Sequence, residues 1–240
     1  MNIQATNIQE PGKALLLVGS PRGKASTSHA IGSYLAQKLG AGGMETEEIA
    51  VLEALRSTES LERLLEAMDS AQLVIVSFPL YVDQLPAPLA QALEIVAERR
   101  KEKLSAGKAA GARRQKIIAI VQCGFPETLQ NQPALDILRR FAAEAGYDWA
   151  GGLAMGMGGA AGGKRLDQAG GMLRHVVKAL DLAAVSLLSG NAIPEEATTL
   201  MGKPLIPKWL YLIAANFEMK SQAKKHGARK TMYARPYELR

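Results

Sequence analysis

Residues 19–28, GSPRGKASTS, gather one arginine, one lysine and four hydroxyl side chains within ten positions. They follow the apolar run ALLLV and precede a helix-like pattern, HAIGSYLAQKL. Such a helix start suits an anion, because its first backbone N–H groups lack partners and carry roughly half a positive charge. Ser20, Ser26, Thr27 and Ser28 would add hydroxyl donors, and Arg22 a planar fork for phosphate oxygens. Pro21 restrains the turn. The set fits a terminal monophosphate, which needs many donors and no metal. Ser26 or Thr27 is also the natural N-cap of the helix. Capping alone leaves Pro21, Arg22 and the surplus hydroxyls without a role.

Two better-known phosphate loops do not fit. A Walker A loop needs four residues between its glycines and then Gly-Lys-Ser/Thr. Here three residues separate Gly19 from Gly23, and Lys24 is followed by Ala25. A dinucleotide fingerprint needs three spaced glycines between a first strand and its helix. GMGGAAGG (156–163) supplies Gly156, Gly158 and Gly162, but after the last strand and with no acid-bearing strand to follow. A flexible β–α connection is the plainer reading of it.

Two further loops share the unusual composition of the first: PLYVDQLPAP (79–88) and CGFPETLQNQ (123–132). Pro79, Pro86 and Pro88 argue for a shaped surface loop around Tyr81. Cys123 reads first as a small buried strand residue and second as a redox thiol. His29, His175 and His226 are scattered without ligand spacing, and no catalytic triad or carboxylate pair is visible.

The elements that must position these loops follow from periodicity. Apolar strand-like runs recur at 14–19, 44–51, 72–78, 116–122 and 149–155. Helical faces separate them: Ile31, Tyr34, Leu35 and Leu39, then Leu61, Leu64, Leu65 and Met68. Leu89, Leu93, Val96 and Leu104 form a third face, and Leu135, Leu138, Phe141 and Ala142 a fourth. A longer helix is predicted from about Leu166 to Leu188, stopped by Gly190. Throughout-apolar strands alternating with helices predict a five-stranded, doubly wound parallel sheet of the α/β class. In such sheets ligands sit beyond the carboxyl ends of the strands, where all three loops lie.

Composition narrows the class further. The chain has 240 residues, 48% of them hydrophobic and only 5% aromatic, which suits aliphatic strands in a substantial core. A lone cysteine excludes a disulfide within the chain and agrees with a reducing, cytoplasmic setting. No secretion signal is visible, and the apolar runs fall far short of the roughly 20 residues of a membrane span. The net charge of +6 concentrates at 98–116 and 220–230. No aromatic residues interleave with it, so solvated faces are expected rather than a nucleic-acid surface.

The loop GSPRGKASTSHA, together with PLYVDQLPAPL after the third strand, resembles the flavodoxin-like NAD(P)H-dependent FMN reductases. That group includes NAD(P)H:quinone-type oxidoreductases and iron–sulfur flavoproteins. The resemblance implies a flavodoxin-like domain over 13–190, after a polar lead-in at 1–12 and before an α-helical C-terminal extension at 191–240. It implies that Ser20, Arg22, Ser26, Thr27 and Ser28 hold the FMN phosphate. Pro79, Leu80, Tyr81 and Val82 would lie along the isoalloxazine, and Gly124, Phe125 and Pro126 would form a third wall. NAD(P)H would be the electron donor, and a quinone, nitro compound or flavin the acceptor, with the flavin itself carrying the chemistry. With Cys123 alone, an iron–sulfur cluster within the chain is excluded. A Gly-Lys-Ala also replaces the Asn-rich spacer common in the family. A homodimer completing the groove is expected on the same ground. A non-catalytic electron carrier or a flavin-free binding protein is the alternative.

The extension contains PKWLYLIAANFEMKSQAKK (207–225), a predicted helix with Trp209, Leu212, Ile213, Asn216 and Phe217 on one face. That face is expected to pack against the domain or a second subunit; a membrane surface is the other reading.

Overall fold

The computed structural model describes residues 12–105, 115–161, 166 and 170–235. Most of the lead-in, the centre of the basic stretch at 106–114, Gly162 and the last five positions lie outside them. Strands β1 (Lys13–Val18), β2 (Glu45–Ala50), β3 (Leu73–Pro79), β4 (Lys116–Gln122) and β5 (Asp148–Met155) form one parallel sheet in the order β2-β1-β3-β4-β5. This is the flavodoxin-like order, and its switch point lies between β1 and β3.

The two faces of the sheet sort the helices. Leu15, Leu17, Val74, Val76, Phe78, Ile117 and Val121 face α2 (Val51–Ala54), α3 (Thr58–Ser70), α4 (Ala87–Ser105) and α5 (Gln132–Glu144). Leu16, Val18, Ile75, Ile118 and Ile120 face α1 (Thr27–Ala41) and α7 (Arg174–Leu188). Because successive strand residues point to opposite faces, only runs apolar at every position can fill both cores. β2 departs from that rule as an edge strand: its Glu45, Glu47 and Glu48 discourage pairing with another chain. Lys13 and Arg63 neutralise Glu47 from either side.

The helix predicted from about Leu166 to Leu188 starts later than its periodicity suggests. Gly170 has φ +69°, and a 3-10 turn at Gly171–Leu173 precedes α7, which begins only at Arg174. The adjacent Gly170 and Gly171 disfavour a helix there. Gly190, at φ +76°, ends α7 as expected. The short helices α6 (Gly158–Ala161) and α8 (Glu195–Met201) carry no readable period. Ala197, Met201 and Leu205 nevertheless lie in the core with α7, so the extension is built into the domain that far. Beyond it runs α9 (Lys208–Lys225), in which no residue is buried.

The described part of the first basic stretch is engaged structurally. Arg99 pairs with Glu62 at 2.7 Å, and Lys103 pairs with Asp69. Arg100 lies over the Tyr147 ring at 3.8 Å and donates to the Ala145 carbonyl. These contacts bind α3, α4 and the turn before β5 together.

Candidate functional site

β1, β3 and β4 end side by side, with Val18 opposite Ser77 and Pro79 opposite Gln122. The three loops therefore leave one edge of the sheet as neighbours. Gly19 begins the first loop flush against β3 and α4: its N–H donates to the Ser77 carbonyl at 2.8 Å. A Cβ on it would lie 2.7 Å from Leu89 and 2.9 Å from Phe78. A 3-10 turn, Gly23–Ala25, then delivers the chain to Ser26, which caps α1 by accepting the His29 N–H at 3.1 Å.

The four hydroxyls of this loop divide into two pairs. Ser26 donates to the Gly23 carbonyl at 2.6 Å, and Thr27 donates to the Gly158 carbonyl at 3.0 Å. Both are committed to shaping the loop, which departs from the expectation that all four face a phosphate. Ser20 accepts the Arg22 N–H at 3.3 Å and keeps its own proton to donate. Ser28 Oγ is buried with no hydrogen-bond partner, an orphan that a ligand oxygen would satisfy. Helix geometry leaves the first-turn N–H groups of Thr27 and Ser28 without intrahelical acceptors. Arg22 is exposed beside them. Two hydroxyls, free amides and a guanidinium at a helix start fit a phosphate monoester dianion.

The second loop leaves β3 at buried Pro79, and the Leu80 N–H is held by the Gln122 carbonyl at 2.8 Å. Tyr81 and Gln84 exchange backbone hydrogen bonds of 2.9 and 3.1 Å across a two-residue tip. Both tip residues are left-handed, Val82 at φ +50° and Asp83 at φ +59°. A β-branched residue resists that conformation, so the tip stores strain. Val82 is 93% exposed and Tyr81 43% exposed, so the loop offers an apolar, aromatic rim rather than core.

The third loop is held from behind. The carbonyl of Cys123 accepts Gly158 N–H at 2.8 Å, and that of Phe125 accepts Met157 N–H at 2.8 Å. Between them, the Gly124 carbonyl accepts the Tyr211 hydroxyl of α9 at 2.6 Å. Phe125 is exposed and Pro126 half-buried. Cys123 is 2% exposed, and burial pushes its thiol pKa up, so it is a packed residue as expected and poorly suited to act as a thiolate.

The Gly-rich stretch after β5 is not a loose connection, contrary to its reading from the sequence. A Cβ on Gly156 would lie 2.7 Å from the Pro126 carbonyl oxygen, and one on Gly158 would lie 1.7 Å from the Gln122 side chain. These glycines let the segment press against loop three, while Thr27 ties it to loop one. It is a buttress for both. Tyr211 and this buttress are the site elements that sequence reasoning missed; the only signal was a glycine pattern read as slack.

Other polar clusters offer less. Among the described residues no three His, Cys, Asp or Glu side chains are grouped to hold a metal. A hollow at the opposite edge of the sheet, near Gly12, Gly42, Gln72 and Lys116, holds no nucleophile or acid. Its one ammonium, of Lys116, is engaged by the Gly190 carbonyl.

A parallel sheet of this order, opening at its switch point on a donor-rich helix start, defines a flavodoxin-like protein. Within that class, residues 13–127, just under half of the chain, match the family model of the NADPH-dependent FMN reductases. The match takes in all three loops and stops at Glu127. FMN, with NAD(P)H as donor, is the cofactor pair of this family.

A search of curated protein sequences finds no match. Solved structures similar to the chain include the rubredoxin oxygen:oxidoreductase of Desulfovibrio gigas, at 14% identity and a TM-score of 0.50, over 76% of this chain and 37% of that one. An FMN-dependent NADH-azoreductase of Bacillus anthracis in complex with FMN is similar at 12% identity and a TM-score of 0.49, over 74% and 99%. A Streptococcus pneumonia flavodoxin is similar at 15% identity and a TM-score of 0.49, over 75% and 99%. At these identities the likeness concerns the fold alone.

Proposed function

We propose that the protein is an FMN-dependent oxidoreductase that passes electrons from NAD(P)H to a small acceptor such as a quinone, a nitro compound or a flavin. The observation that carries this reading is the first loop: an unpartnered buried Ser28 hydroxyl beside free helix-start amides and Arg22. In this reading Ser20, Arg22, Ser28 and the amides of Thr27 and Ser28 hold the phosphate. Ser26 and Thr27 hold the loop in shape.

Pro79, Leu80, Tyr81 and Val82 border the ring, and Gly124, Phe125 and Pro126 supply the wall opposite. Bound FMN supplies the hydride-accepting ring; the chain binds it, orients it and limits water on its covered side. The exposed apolar rim of Tyr81, Val82 and Phe125 suits a stacked nicotinamide or acceptor, and a second subunit would complete the groove. No helix among the described residues is long and apolar enough to cross a membrane, and with a single cysteine the protein suits the reducing cytoplasm.

The test has two parts. Purified protein is mixed anaerobically with NADH or NADPH, and the flavin absorbance near about 450 nm is followed; bleaching by either nucleotide is expected. Failure to bleach leaves an electron carrier, and failure to take up flavin leaves a binding protein. Arg22→Ala removes a charge-assisted contact of about 1.5–3 kcal/mol, so FMN affinity is expected to fall about tenfold or more while riboflavin affinity holds. Equal losses for the two ligands would remove the phosphate assignment.

A further inference from the structure

We infer that Tyr211, in the first turn of the C-terminal helix α9, is a positioning residue for the third wall of the groove. The inference rests on the flavin reading of that groove. It starts from three consecutive carbonyls. Those of Cys123 and Phe125 are held by the backbone N–H groups of Gly158 and Met157, each at 2.8 Å. That of Gly124, between them, is held by the Tyr211 hydroxyl at 2.6 Å.

Gly124 is the place where such a hold matters. It is exposed, and nothing lies within 4 Å of where its Cβ would be, so no neighbour packs over it on that side. A glycine rotates more freely than any other residue. The peptide unit is planar and trans, so fixing the Gly124 carbonyl also fixes the direction of the Phe125 N–H. With the Phe125 carbonyl held as well, residue 125 is fixed at both of its peptide planes. Tyr211 therefore gives loop three a rigidity that its own sequence withholds.

The attachment of α9 centres on this contact. No residue of α9 is buried, yet Tyr211 is half-buried and packs against the core shared by α1 and α7. Three residues earlier, Lys208 pairs with Glu127, the residue that follows the wall. The Tyr211 phenol is protonated at neutral pH and so donates, and burial raises its pKa further. The extension buries its apolar area before α9, at Ala197, Met201 and Leu205; α9 itself places a hydroxyl on a site carbonyl.

Tyr211→Phe in the full chain tests the inference, because it keeps the ring and removes only the hydroxyl. A lost hydrogen bond corresponds to about a fivefold change in an equilibrium. Exchange of the Met157 and Gly158 amides, which donate to the carbonyls of loop three, is expected to quicken about fivefold, with β4 and β5 unchanged and the melting temperature within about 2 °C. FMN and riboflavin should both bind about fivefold more weakly, since the wall borders the ring and not the phosphate. That pattern is the opposite of Arg22→Ala. Unchanged exchange of the Met157 and Gly158 amides overturns the inference. So does a loss confined to FMN, or faster exchange spread through β4 and β5, which would mark a merely structural residue. If the wild-type protein takes up no flavin, the reading of the groove falls, while the exchange measurement still decides whether Tyr211 holds the wall.

Discussion

Helices α7 and α9 are of similar length and both rich in apolar residues, yet their fates differ. α7 buries Val176, Ala179, Leu180, Ala183, Ala184 and Leu187 against the sheet. α9 leaves Trp209 65% and Phe217 76% exposed and touches the domain through Tyr211 and Lys208. The difference lies in periodicity. The apolar residues of α7 recur on one stripe with charged residues opposite, whereas LYLI in α9 surrounds the helix. A helix apolar around its circumference gives no instruction about which side to bury. Apolar content alone does not place a helix in a core.

The contrast breaks most sharply by truncation. Leu180 is fully buried, so Leu180→Ala is expected to cost about 2–5 kcal/mol by urea unfolding. Phe217→Ala should stay within about 0.5 kcal/mol in dilute protein. A Phe217→Ala loss that grows with protein concentration would instead put α9 in an interface between copies.

A second test compares a buried aromatic with the exposed ones. Tyr147 is 5% exposed, its hydroxyl is buried without a hydrogen-bond partner, and burial raises its pKa to about 12. The folded pKa lies above the unfolded value near 10, so the folded protein keeps a proton that the unfolded chain loses. The contribution is complete below pH 10 and is lost as the pH rises towards 12, by about 2–3 kcal/mol. Tyr147→Phe should remove that alkaline limb from a stability–pH profile without destabilising the neutral protein. Exposed Tyr233 in the tail should behave as Phe at every pH.

The smallest expected effect separates strained from relaxed exposure. Val82 and Phe217 are both largely exposed, but only Val82 is left-handed, at φ +50°. Asn tolerates that region, so Val82→Asn is expected to raise stability by about 0.5–1 kcal/mol, while Phe217→Asn changes it little. If the tip serves the groove, the same Val82→Asn protein should bind flavin less tightly. A stabilised variant with unchanged flavin affinity would show the strain to be unrelated to binding.

The strands were legible because each inner one is apolar at nearly every position, apart from Ser77 and the strand ends, and two helical cores leave no other solution. The first loop was legible as an anion site because donors cluster where a helix must begin. What each donor does was not: Ser26, Thr27 and Ser28 are consecutive in sequence, yet one caps, one reaches Gly158 and one is unpartnered. The division depends on a segment 131 residues away. The late start of α7 was missed because its periodicity extends through a pair of glycines that the backbone uses as a break. In α9 the predicted face, with Trp209 and Phe217, is the exposed one. The contact is made by Tyr211, through its half-buried ring against the core and its hydroxyl on the Gly124 carbonyl.

By itself the sequence determined the alternation of strands and helices, the carboxyl edge on which chemistry-bearing loops gather, and the kind of ligand the first loop suits. These follow from local rules: side-chain period, chain punctuation and the dipole of a helix start. Only the tertiary structure decided which hydroxyls remain available, that a run of glycines is a buttress, and that the far end of the chain returns to hold Gly124. Those are contacts between residues distant in sequence. A local pattern carries no record of the partner that close packing brings to it.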